Sequence, residues 1–406
     1  MTDDTRRGGM IVVGAGLAGV NACSELRKQG YAGQVTLLGN EGLPPYDRPP
    51  LSKAVLAGKR DDTSLRFDLA ALDVDARLAT AAVGLDPGAR VIVTTDGDLD
   101  YDGLVIATGA APLTLPGPGT QHVLRTLADA RRLRGLLTAG AHLVIIGAGW
   151  IGAEVATAAL AAGCRVTCLE AGPTVLHGAL GAVGAEFEPW WSGVDLRFGA
   201  LVDWVEEGAV RLAGGETIAA DAVLVGIGAR PATEWLKDSG LALNRGVVTD
   251  ARLQAAPGVA AVGDVAVWHS TRFDRVMRVE HWDNASLGPK TAVANLLAPD
   301  ADGPVYDPVP YFWSDQFGHK LQYVGAHDDE SRVVFRRPGD GAWWAALWLD
   351  PADRLTAALT VDRPREMVAA RQVIEAGQPV AAATAVDGDR PLSDAVVTDP
   401  SALVAG

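Results

Sequence analysis

The hydrophobic and polar positions of the chain repeat one pattern twice. Residues 10–13 form a short apolar run typical of a buried strand, a glycine-containing turn follows, and residues 20–28 carry apolar side chains at helical spacing. Gly30 ends that helix, and residues 35–38 form the next apolar strand. The same order returns at residues 143–146, 153–162 and 165–169. Two such units predict an α/β protein with two dinucleotide-binding, Rossmann-like domains.

The pattern changes at three further places and suggests the domain boundaries. Two related stretches, 101–117 and 220–231, are apolar strands that end in glycine- and proline-rich connections, which we interpret as crossings between domains. Beyond about residue 305, aromatic residues cluster among alternating apolar strands, and a helical stretch follows at 363–375. We therefore expect three domains, formed by residues 1–110 with 231–305, by 111–230, and by 306–406, the last of α+β type.

Each unit carries a glycine loop between its first strand and its helix, "GAGLAG" in one and "GAGWIG" in the other. The first glycine permits a tight turn, the second allows the backbone to approach a pyrophosphate, and the third brings helix and sheet together. Amide groups and the helix dipole then hold the phosphates. The expected contacts are Gly14, Gly16, Gly19, Gly147, Gly149 and Gly152, and a larger residue at Gly16 or Gly149 should block binding.

An acidic residue is expected after the second strand of each unit, where it binds a ribose. In the second unit it is Glu170, which would accept from both ribose hydroxyls and repel a 2′-phosphate, so that site should prefer NADH over NADPH. In the first unit the position holds Asn40 with Glu41 beside it, and either could reach a ribose.

Composition excludes several classes of protein. The 406 residues carry a formal net charge of −15, which argues against nucleic acid as a partner. Three cysteines without a dense spacing indicate small core residues in a reducing compartment, and the seven histidines show no metal spacing, so no metal is expected. The polar amino end and the lack of long apolar runs predict a cytoplasmic protein without a signal peptide or membrane span.

Two dinucleotide sites in one chain suggest FAD together with a nicotinamide cofactor. Three more segments fit a flavin: a rigid proline-rich loop with a lysine at 44–53, a strand that runs into Asp264, and an aromatic with polar groups at the start of a helix at 280–286. Flavins take two electrons together and release them singly, so such a protein can connect NADH to a one-electron acceptor.

The chain resembles the NADH-dependent ferredoxin reductases that serve cytochromes P450 and ring-hydroxylating dioxygenases, the putidaredoxin-reductase-like group of the glutathione-reductase fold. The matching segments run from residue 12 to about 366. They are "GAGLAG", "PPYDRPPLSK", "YDGLVIATGAAP", "LRTLADA", "IIGAGWIGAE", "LVGIGARP", "AVGDVA", "HWDNA", "PYFWSDQFG" and "TAALTVDRPRE". The combination of "DRPPLSK" with "FWSDQ" is the specific part.

The resemblance implies FAD, NADH and a [2Fe–2S] ferredoxin as electron acceptor. It also implies FAD contacts at Ala18, Asn40, Lys53, Ala82, Arg125, Asp264 and Trp282, with further cofactor contacts at Arg48, Ile151 and Gly228. The family usually has aspartate where this chain has Asn40, so that contact is expected to weaken or to move to Glu41.

The resemblance also implies three catalytic residues. Lys53 would place a positive charge near flavin N5, where it stabilises negative charge on the reduced ring. A buried lysine tends to lose its proton, and Glu154 would be the counter-ion that keeps it charged. Trp313 would lie near the flavin and the nicotinamide pocket, where an aromatic ring can stack and exclude water.

Several alternatives remain open. Disulfide and coenzyme-A disulfide reductases are excluded, because the stretch ahead of Lys53 has no cysteine. A rubredoxin reductase, a monodehydroascorbate reductase and an NADH-sensing, non-catalytic flavoprotein resembling apoptosis-inducing factor stay possible, as do a monomer and a homodimer. An acidic reductase facing an acidic ferredoxin needs a local basic patch, for which the candidates are Lys290, Lys320, Arg272, Arg275 and Arg278.

Overall fold

A computed structural model describes residues 8–299 and 302–397 of the chain, so the expectations for the first seven residues and for the end of the tail lie outside it. The chain divides into two compact units, each made of three segments. The first unit comprises Met1–Asp47, Thr63–Ala111 and Arg230–Pro310. The second unit comprises Arg48–Asp62, Pro112–Ala229 and Tyr311–Gly406.

The strands and helices alternate through most of the chain. The strands are β1 (Met10–Val13), β2 (Val35–Gly39), β3 (Val74–Leu78), β4 (Ala82–Asp86), β5 (Val91–Thr94), β6 (Gly97–Asp100), β7 (Gly103–Ile106), β8 (Ala110–Pro112), β9 (His142–Ile146), β10 (Arg165–Glu170), β11 (Val194–Phe198), β12 (Val202–Glu206), β13 (Ala209–Leu212), β14 (Thr217–Ala219), β15 (Ala222–Val225), β16 (Ala229–Pro231), β17 (Val247–Val248), β18 (Gln254–Ala256), β19 (Val259–Ala261), β20 (Ala266–Ser270), β21 (Arg275–Met277), β22 (Tyr311–Gln316), β23 (His319–Gly325), β24 (Arg332–Arg336), β25 (Ala345–Leu349) and β26 (Leu355–Val361). The α-helices are α1 (Leu17–Lys28), α2 (Leu127–Leu136), α3 (Trp150–Ala161), α4 (His177–Leu180), α5 (Trp282–Leu297), α6 (Pro364–Ala376) and α7 (Ala382–Ala385).

The first unit is built on a six-stranded sheet in the order β18-β19-β7-β1-β2-β3. All its neighbours are parallel except β18, which pairs antiparallel with β19 at the edge. Every residue of β1 and β2 is buried, as expected of strands covered on both faces. Helices α1 and α5 pack against one another. Two three-stranded sheets, β4-β5-β6 and β17-β20-β21, complete this unit.

The second unit contains a four-stranded parallel sheet in the order β11-β10-β9-β15. Every residue of β9 is buried, and the small side chains of Ala153, Ala156 and Ala159 bury one face of α3. Both units therefore have the strand–turn–helix–strand arrangement of a dinucleotide-binding domain, and the predicted α/β class is confirmed.

The last part of the second unit is a five-stranded antiparallel sheet in the order β22-β23-β26-β25-β24. Helix α6 packs on β23 and β26 and begins with Pro364, whose missing amide hydrogen does no harm at a helix start. This sheet and helix confirm the α+β character expected for the carboxy-terminal part. Among the helices that the structure describes, none has the length and apolar character needed to cross a membrane.

Helices α1 and α3 both begin three residues earlier than the apolar spacing indicates, at Leu17 and Trp150. A helix start is hard to read here because the first turn of each contains a glycine, which has low helix propensity. The extra turn places the amino end of each helix directly after the second glycine of its loop.

Candidate functional site

The first glycine loop lies between β1 and α1, and two of its glycines are required by the fold itself. Gly14 has φ of +115°, and a Cβ there would lie 2.2 Å from the carbonyl oxygen of Ala107. A Cβ on Gly19 would lie 1.9 Å from the carbonyl oxygen of Gly14. Gly16 is the N-terminal cap of α1 with φ of −88°, a conformation that other residues also adopt.

Two other predicted contacts of the first unit lie near α1 and α5. Gly263, next to Asp264, has φ of +71°, and a Cβ there would lie 3.0 Å from the Cβ of Ala18. The turn that carries Asp264 therefore packs against the first turn of α1. Trp282 begins α5 with its ring partly exposed, and its Nε1 donates to Asp47 Oδ1 at 2.9 Å. This bond connects α5 to the proline-rich loop.

Asn40 and Glu41 follow β2, at the same edge of the six-stranded sheet as the first glycine loop. Asn40 is exposed, whereas Glu41 is partly buried and accepts a hydrogen bond of 2.5 Å from the Tyr46 hydroxyl. The Tyr46 contact orients the Glu41 carboxylate beside the loop. Ala82, a further predicted contact, is partly buried at the start of β4.

The second glycine loop contains two glycines that the fold requires and one that it does not. Gly147 has φ of +99°, with a Cβ position 2.6 Å from Gly226 O, and a Cβ on Gly152 would lie 2.1 Å from Gly147 O. Gly149 has φ of −79°, and the nearest atom to its Cβ position is Gly226 O at 3.9 Å. Packing within the protein therefore leaves room for a side chain at Gly149. Ile151, in the first turn of α3, is more than one-third exposed.

Glu170 ends β10 and returns to the glycine loop. Its Oε2 accepts from the backbone N–H of Ala148 at 2.7 Å, and its Oε1 accepts from the N–H of Gly172 at 2.7 Å. Two backbone donors therefore fix the carboxylate at the carboxyl edge of the parallel sheet, where α/β proteins bind their ligands. Each oxygen keeps a second lone pair that a ribose hydroxyl can use.

The starts of α1 and α3 suit anionic phosphates. Within the residues that the structure describes, no side chain caps either helix, and neither first turn contains an acidic residue. Amide groups at both starts, with the positive end of each helix dipole, are therefore suited to bind an anion. These residues fit the pyrophosphate groups of two dinucleotides, as FAD and NADH require.

A buried ion pair joins Lys53 to Glu154. Lys53 lies in a single π-helical turn, Leu51–Val55, and its Nζ is 2.8 Å from Glu154 Oε1. Glu154 lies in the second turn of α3 and its side chain is 3% exposed, whereas that of Lys53 is 22% exposed. The glutamate side chain is thus deeply buried, while the lysine side chain is only partly buried. The expected pairing of these two residues is present.

Two serines that the sequence did not single out complete the surroundings of Glu154. Ser314 Oγ donates to Glu154 Oε1 at 2.6 Å, and Ser52 Oγ donates to Glu154 Oε2. Ser52 directly precedes Lys53, and Ser314 directly follows Trp313, so both lie inside segments already recognised. Nothing in their spacing could reveal a common carboxylate, because 262 positions separate them in the chain (314 − 52).

Trp313 lies beside this cluster on β22. It is partly buried and stacks on Tyr311, with ring centroids 6.0 Å apart and planes at 21°. Because side chains alternate along a strand, Trp313 and Ser314 project to opposite faces of the sheet. Strand β22 therefore supplies a serine to Glu154 on one face and an aromatic surface on the other.

The remaining predicted residues lie in the second unit, near the ends of its elements. Arg48 is partly buried just before the π-helical turn, and Gly228 is exposed with φ of +114° after β15. Arg125 precedes α2, and its backbone N–H donates to Asp129 Oδ2 at 3.2 Å. The structure places Arg48 and Lys53 in one segment of the second unit.

The three cysteines are buried in the core, as expected. Burial raises the pKa of the Cys23 thiol to about 12, and burial also raises the pKa values of Cys164 and Cys168. Thiolates are the reactive form of cysteine, so none of the three is suited to redox chemistry.

Comparison with known proteins agrees with this arrangement. The pyridine nucleotide-disulphide oxidoreductase family matches residues 9–287, and the reductase C-terminal family matches residues 311–396. The ferredoxin–NAD(+) reductase component of the p-cumate 2,3-dioxygenase system of Pseudomonas putida is 38% identical over 338 residues, which cover 80% of this chain and 83% of that protein.

Two solved structures are similar over almost the whole chain. The crystal structure of Fdr9 has 52% sequence identity and a TM-score of 0.92, covering 95% of this chain and 99% of that one. Putidaredoxin reductase, in its covalent complex with putidaredoxin, has 33% identity and a TM-score of 0.89, covering 98% of this chain and 99% of that one. The resemblance inferred from the sequence is confirmed.

Proposed function

The chain belongs to the pyridine nucleotide-disulphide oxidoreductase family, and from that premise we propose that it passes electrons from NADH through FAD, one at a time, to a [2Fe–2S] ferredoxin. The protein is an NAD(H)-dependent ferredoxin reductase and an FAD oxidoreductase. The ferredoxin in turn serves a cytochrome P450 or a ring-hydroxylating oxygenase. The observation that carries the proposal is the Lys53–Glu154 ion pair, which is buried beside the second glycine loop.

The three domains expected from the sequence have different roles in this proposal. Residues 1–110 and 231–305 hold FAD, residues 111–230 receive NADH, and residues 306–406 supply the aromatic wall and part of the docking surface. In the FAD site the N–H groups at the start of α1 bind the pyrophosphate, with Gly16 and Ala18 at that turn. Glu41, already oriented by Tyr46, takes the ribose contact that aspartate makes in relatives and that Asn40 cannot make as a charged acceptor.

The NADH site uses the start of α3 in the same way. The Gly149 position leaves space for the pyrophosphate, and Ile151 covers one side of it. The Glu170 carboxylate binds the adenosine ribose and would repel a 2′-phosphate, so the site prefers NADH. Gly228, in the left-handed conformation after β15, lets the backbone approach the cofactor closely.

Lys53, Glu154 and Trp313 act on electron transfer itself. FAD, when bound, supplies the ability to take two electrons together and give them up singly. Lys53 would place positive charge near the bound ring and stabilise negative charge there. Glu154 keeps that lysine charged in a partly buried position. Trp313 and Tyr311 form an aromatic surface that excludes water from the site.

The proposed function is tested by reduction of cytochrome c with NADH, in the presence and absence of purified electron carriers. We expect [2Fe–2S] ferredoxins to stimulate the rate strongly, and rubredoxin to stimulate it weakly. Stimulation by rubredoxin alone would favour the rubredoxin-reductase alternative. Slow turnover with every acceptor, together with a stable NAD complex that changes the oligomeric state, would favour the non-catalytic alternative.

The role of Lys53 is tested by substituting Lys53→Met. We expect the rate at which NADH reduces the bound flavin to fall by about 100-fold, or about 2.7 kcal/mol of transition-state stabilisation, because one electrostatic contact of this kind is worth that much. Binding of NADH should change little. Glu154 still receives two serine hydroxyls in this variant, so its buried carboxylate keeps hydrogen-bond donors.

Lys59→Met is the matched control for Lys53→Met. Lys59 lies in the same segment of the second unit but is exposed. Its substitution should leave flavin reduction unchanged. Equal losses in both variants would contradict a specific role for Lys53.

A further inference from the structure

The carboxylate of Glu154 receives three donors from two other segments of the second unit. The Lys53 ammonium and the Ser314 hydroxyl reach Oε1 at 2.8 and 2.6 Å, and the Ser52 hydroxyl reaches Oε2. The three polar residues apart from Lys53 are almost completely buried: Ser52 is 5% exposed, Glu154 is 4% and Ser314 is fully buried.

Both oxygens of Glu154 are occupied, so the carboxylate has one favoured orientation. Rotating it would break at least one hydrogen bond, and a buried charge without donors is strongly disfavoured. Hydrogen bonds to an ionised acceptor are also stronger than those between neutral groups. The two serines therefore hold Glu154 in place independently of Lys53.

The Ser314 hydroxyl is itself oriented by a neighbour. Gln316 Nε2 donates to Ser314 Oγ at 3.2 Å, which leaves the single hydroxyl proton of Ser314 for Glu154. One helical turn after Glu154 in α3, Thr157 Oγ1 accepts a hydrogen bond of 2.9 Å from the backbone N–H of Phe317. Strand β22 and the turn after it are thus attached to α3 at two points, which sets the position of Ser314.

We propose that Ser52 and Ser314 are positioning residues that set how much of the Lys53 charge the flavin experiences. Each hydroxyl directs the positive end of its dipole at the carboxylate and offsets part of its negative charge. Without the two hydroxyls, Glu154 draws on the Lys53 ammonium alone, and the local electrostatic potential becomes more negative. The inference rests on the proposed function, because it requires FAD beside Lys53.

The midpoint potential of the bound flavin is the direct measurement. In the FAD-loaded Ser52→Ala/Ser314→Ala variant, we expect the reduction equilibrium to shift three- to tenfold toward the oxidised flavin, a fall of about 14–30 mV for a two-electron couple. A reductive titration with a reference dye measures this value without NADH or ferredoxin.

A double-mutant cycle separates positioning from a general loss of packing. In the Glu154→Gln background, the two serine substitutions should change the potential by less than a third of their effect in the natural chain, since they act through the carboxylate. Threonine at both positions keeps the hydroxyls and should restore the potential. The single variants Ser52→Ala and Ser314→Ala give the same test if the double variant fails to fold.

Ser270→Ala is the matched control. Ser270 is also fully buried and also donates to a carboxylate, but that carboxylate belongs to Asp307 and not to the Lys53–Glu154 ion pair. Its substitution should leave the flavin potential unchanged. An unchanged potential in Ser52→Ala/Ser314→Ala, or an equal shift in the Glu154→Gln background, would overturn the inference. Neither result would affect the proposed function, provided that ferredoxin reduction remains normal. Failure of the natural chain to bind FAD would instead overturn the proposed function and the inference with it.

Discussion

Single glycines in the two nucleotide loops have separable roles that only their surroundings reveal. Gly147 and Gly152 are excluded from substitution by backbone atoms within 3 Å of a Cβ position, whereas Gly149 has no atom nearer than 3.9 Å. The sequence spacing treats the three alike. The structure therefore distinguishes glycines that the fold needs from the one that a ligand needs.

Gly149→Ala should weaken NADH without weakening the protein. Beyond the chain neighbours, the nearest atom to the added methyl group among the described residues is Gly226 O at 3.9 Å, and the φ of −79° suits alanine. We expect the thermal midpoint to remain within about 1 °C, while the Michaelis constant for NADH rises at least tenfold, or about 1.4 kcal/mol. Steady-state kinetics and calorimetry measure the two effects.

Gly152→Ala is the counterpart for Gly149→Ala. Its Cβ would lie 2.1 Å from Gly147 O, so we expect a loss of stability of about 2 kcal/mol or more. Equal stability losses in both variants would contradict the assignment of Gly149 to the ligand.

Glu170 decides between the two nicotinamide cofactors in our proposal. Glu170→Gln removes the charge that repels a 2′-phosphate. It also replaces one of the two carboxylate oxygens, which accept from the N–H groups of Ala148 and Gly172, with an NH2 group. We expect the ratio of kcat/KM for NADH to that for NADPH to fall at least tenfold. Glu207→Gln, at an exposed position, is the control and should leave the ratio unchanged. A constant ratio in Glu170→Gln would contradict this role.

At the scale of elements, α2 supports the segment that carries Lys53. Arg134, in the last turn of α2, pairs with Asp61 at 2.5 Å and donates to the carbonyl oxygen of Val55 at 3.4 Å. The other end of α2 has a capping box, in which Thr126 Oγ1 accepts from the Asp129 N–H and Asp129 Oδ2 accepts from the Thr126 N–H. The contacts of Arg134 therefore attach the lysine segment to a helix whose start is capped.

Thr126→Ala should open the first turn of α2. Loss of this cap weakens the helix by about 1 kcal/mol, which corresponds to about fivefold faster hydrogen exchange at the amides that depend on local opening. Mass spectrometry of peptides covering 127–136 measures the change. Thr126→Ser keeps the cap and should exchange normally, and peptides from α6 should not respond. Unchanged exchange in α2 would show that its packing, not the cap, holds the helix start.

For the whole molecule, charge is the property that most affects a partner. A net charge of −15 opposes the approach of an acidic ferredoxin, so encounter needs a local positive surface. Lys290 is exposed on α5, the helix that begins with Trp282, and its backbone carbonyl accepts from Gln29. It is therefore a candidate for the positive surface.

Lys290→Glu should raise the Michaelis constant for ferredoxin several-fold and leave ferricyanide reduction by NADH unchanged. The effect should shrink as ionic strength rises, because salt screens charges that lie at the surface. Lys237→Glu makes the same change of net charge, from −15 to −17, at another exposed position. A similar rise in both variants, or an equal loss of ferricyanide reduction, would contradict local docking at Lys290.

The sequence by itself determined the elements and their chemical type. Apolar runs of strand length, each followed by glycines at fixed spacing and an alanine-rich helix, are local signals, so they predicted both nucleotide units and the acid at Glu170. Helix starts at Leu17 and Trp150 were less accessible, because a first turn containing glycine has no helical preference of its own.

Only the tertiary structure decided which side chains share one charge. The Lys53–Glu154 pair was expected from the resemblance, but Ser52 and Ser314 reach the same carboxylate from chain segments 102 and 160 positions away from Glu154. Likewise, Glu41 gained its orientation from Tyr46 and Gly149 its open surroundings from the path of residue 226. Hydrogen-bond geometry and Cβ clearance depend on atoms brought together by folding, and local sequence spacing does not encode those distances.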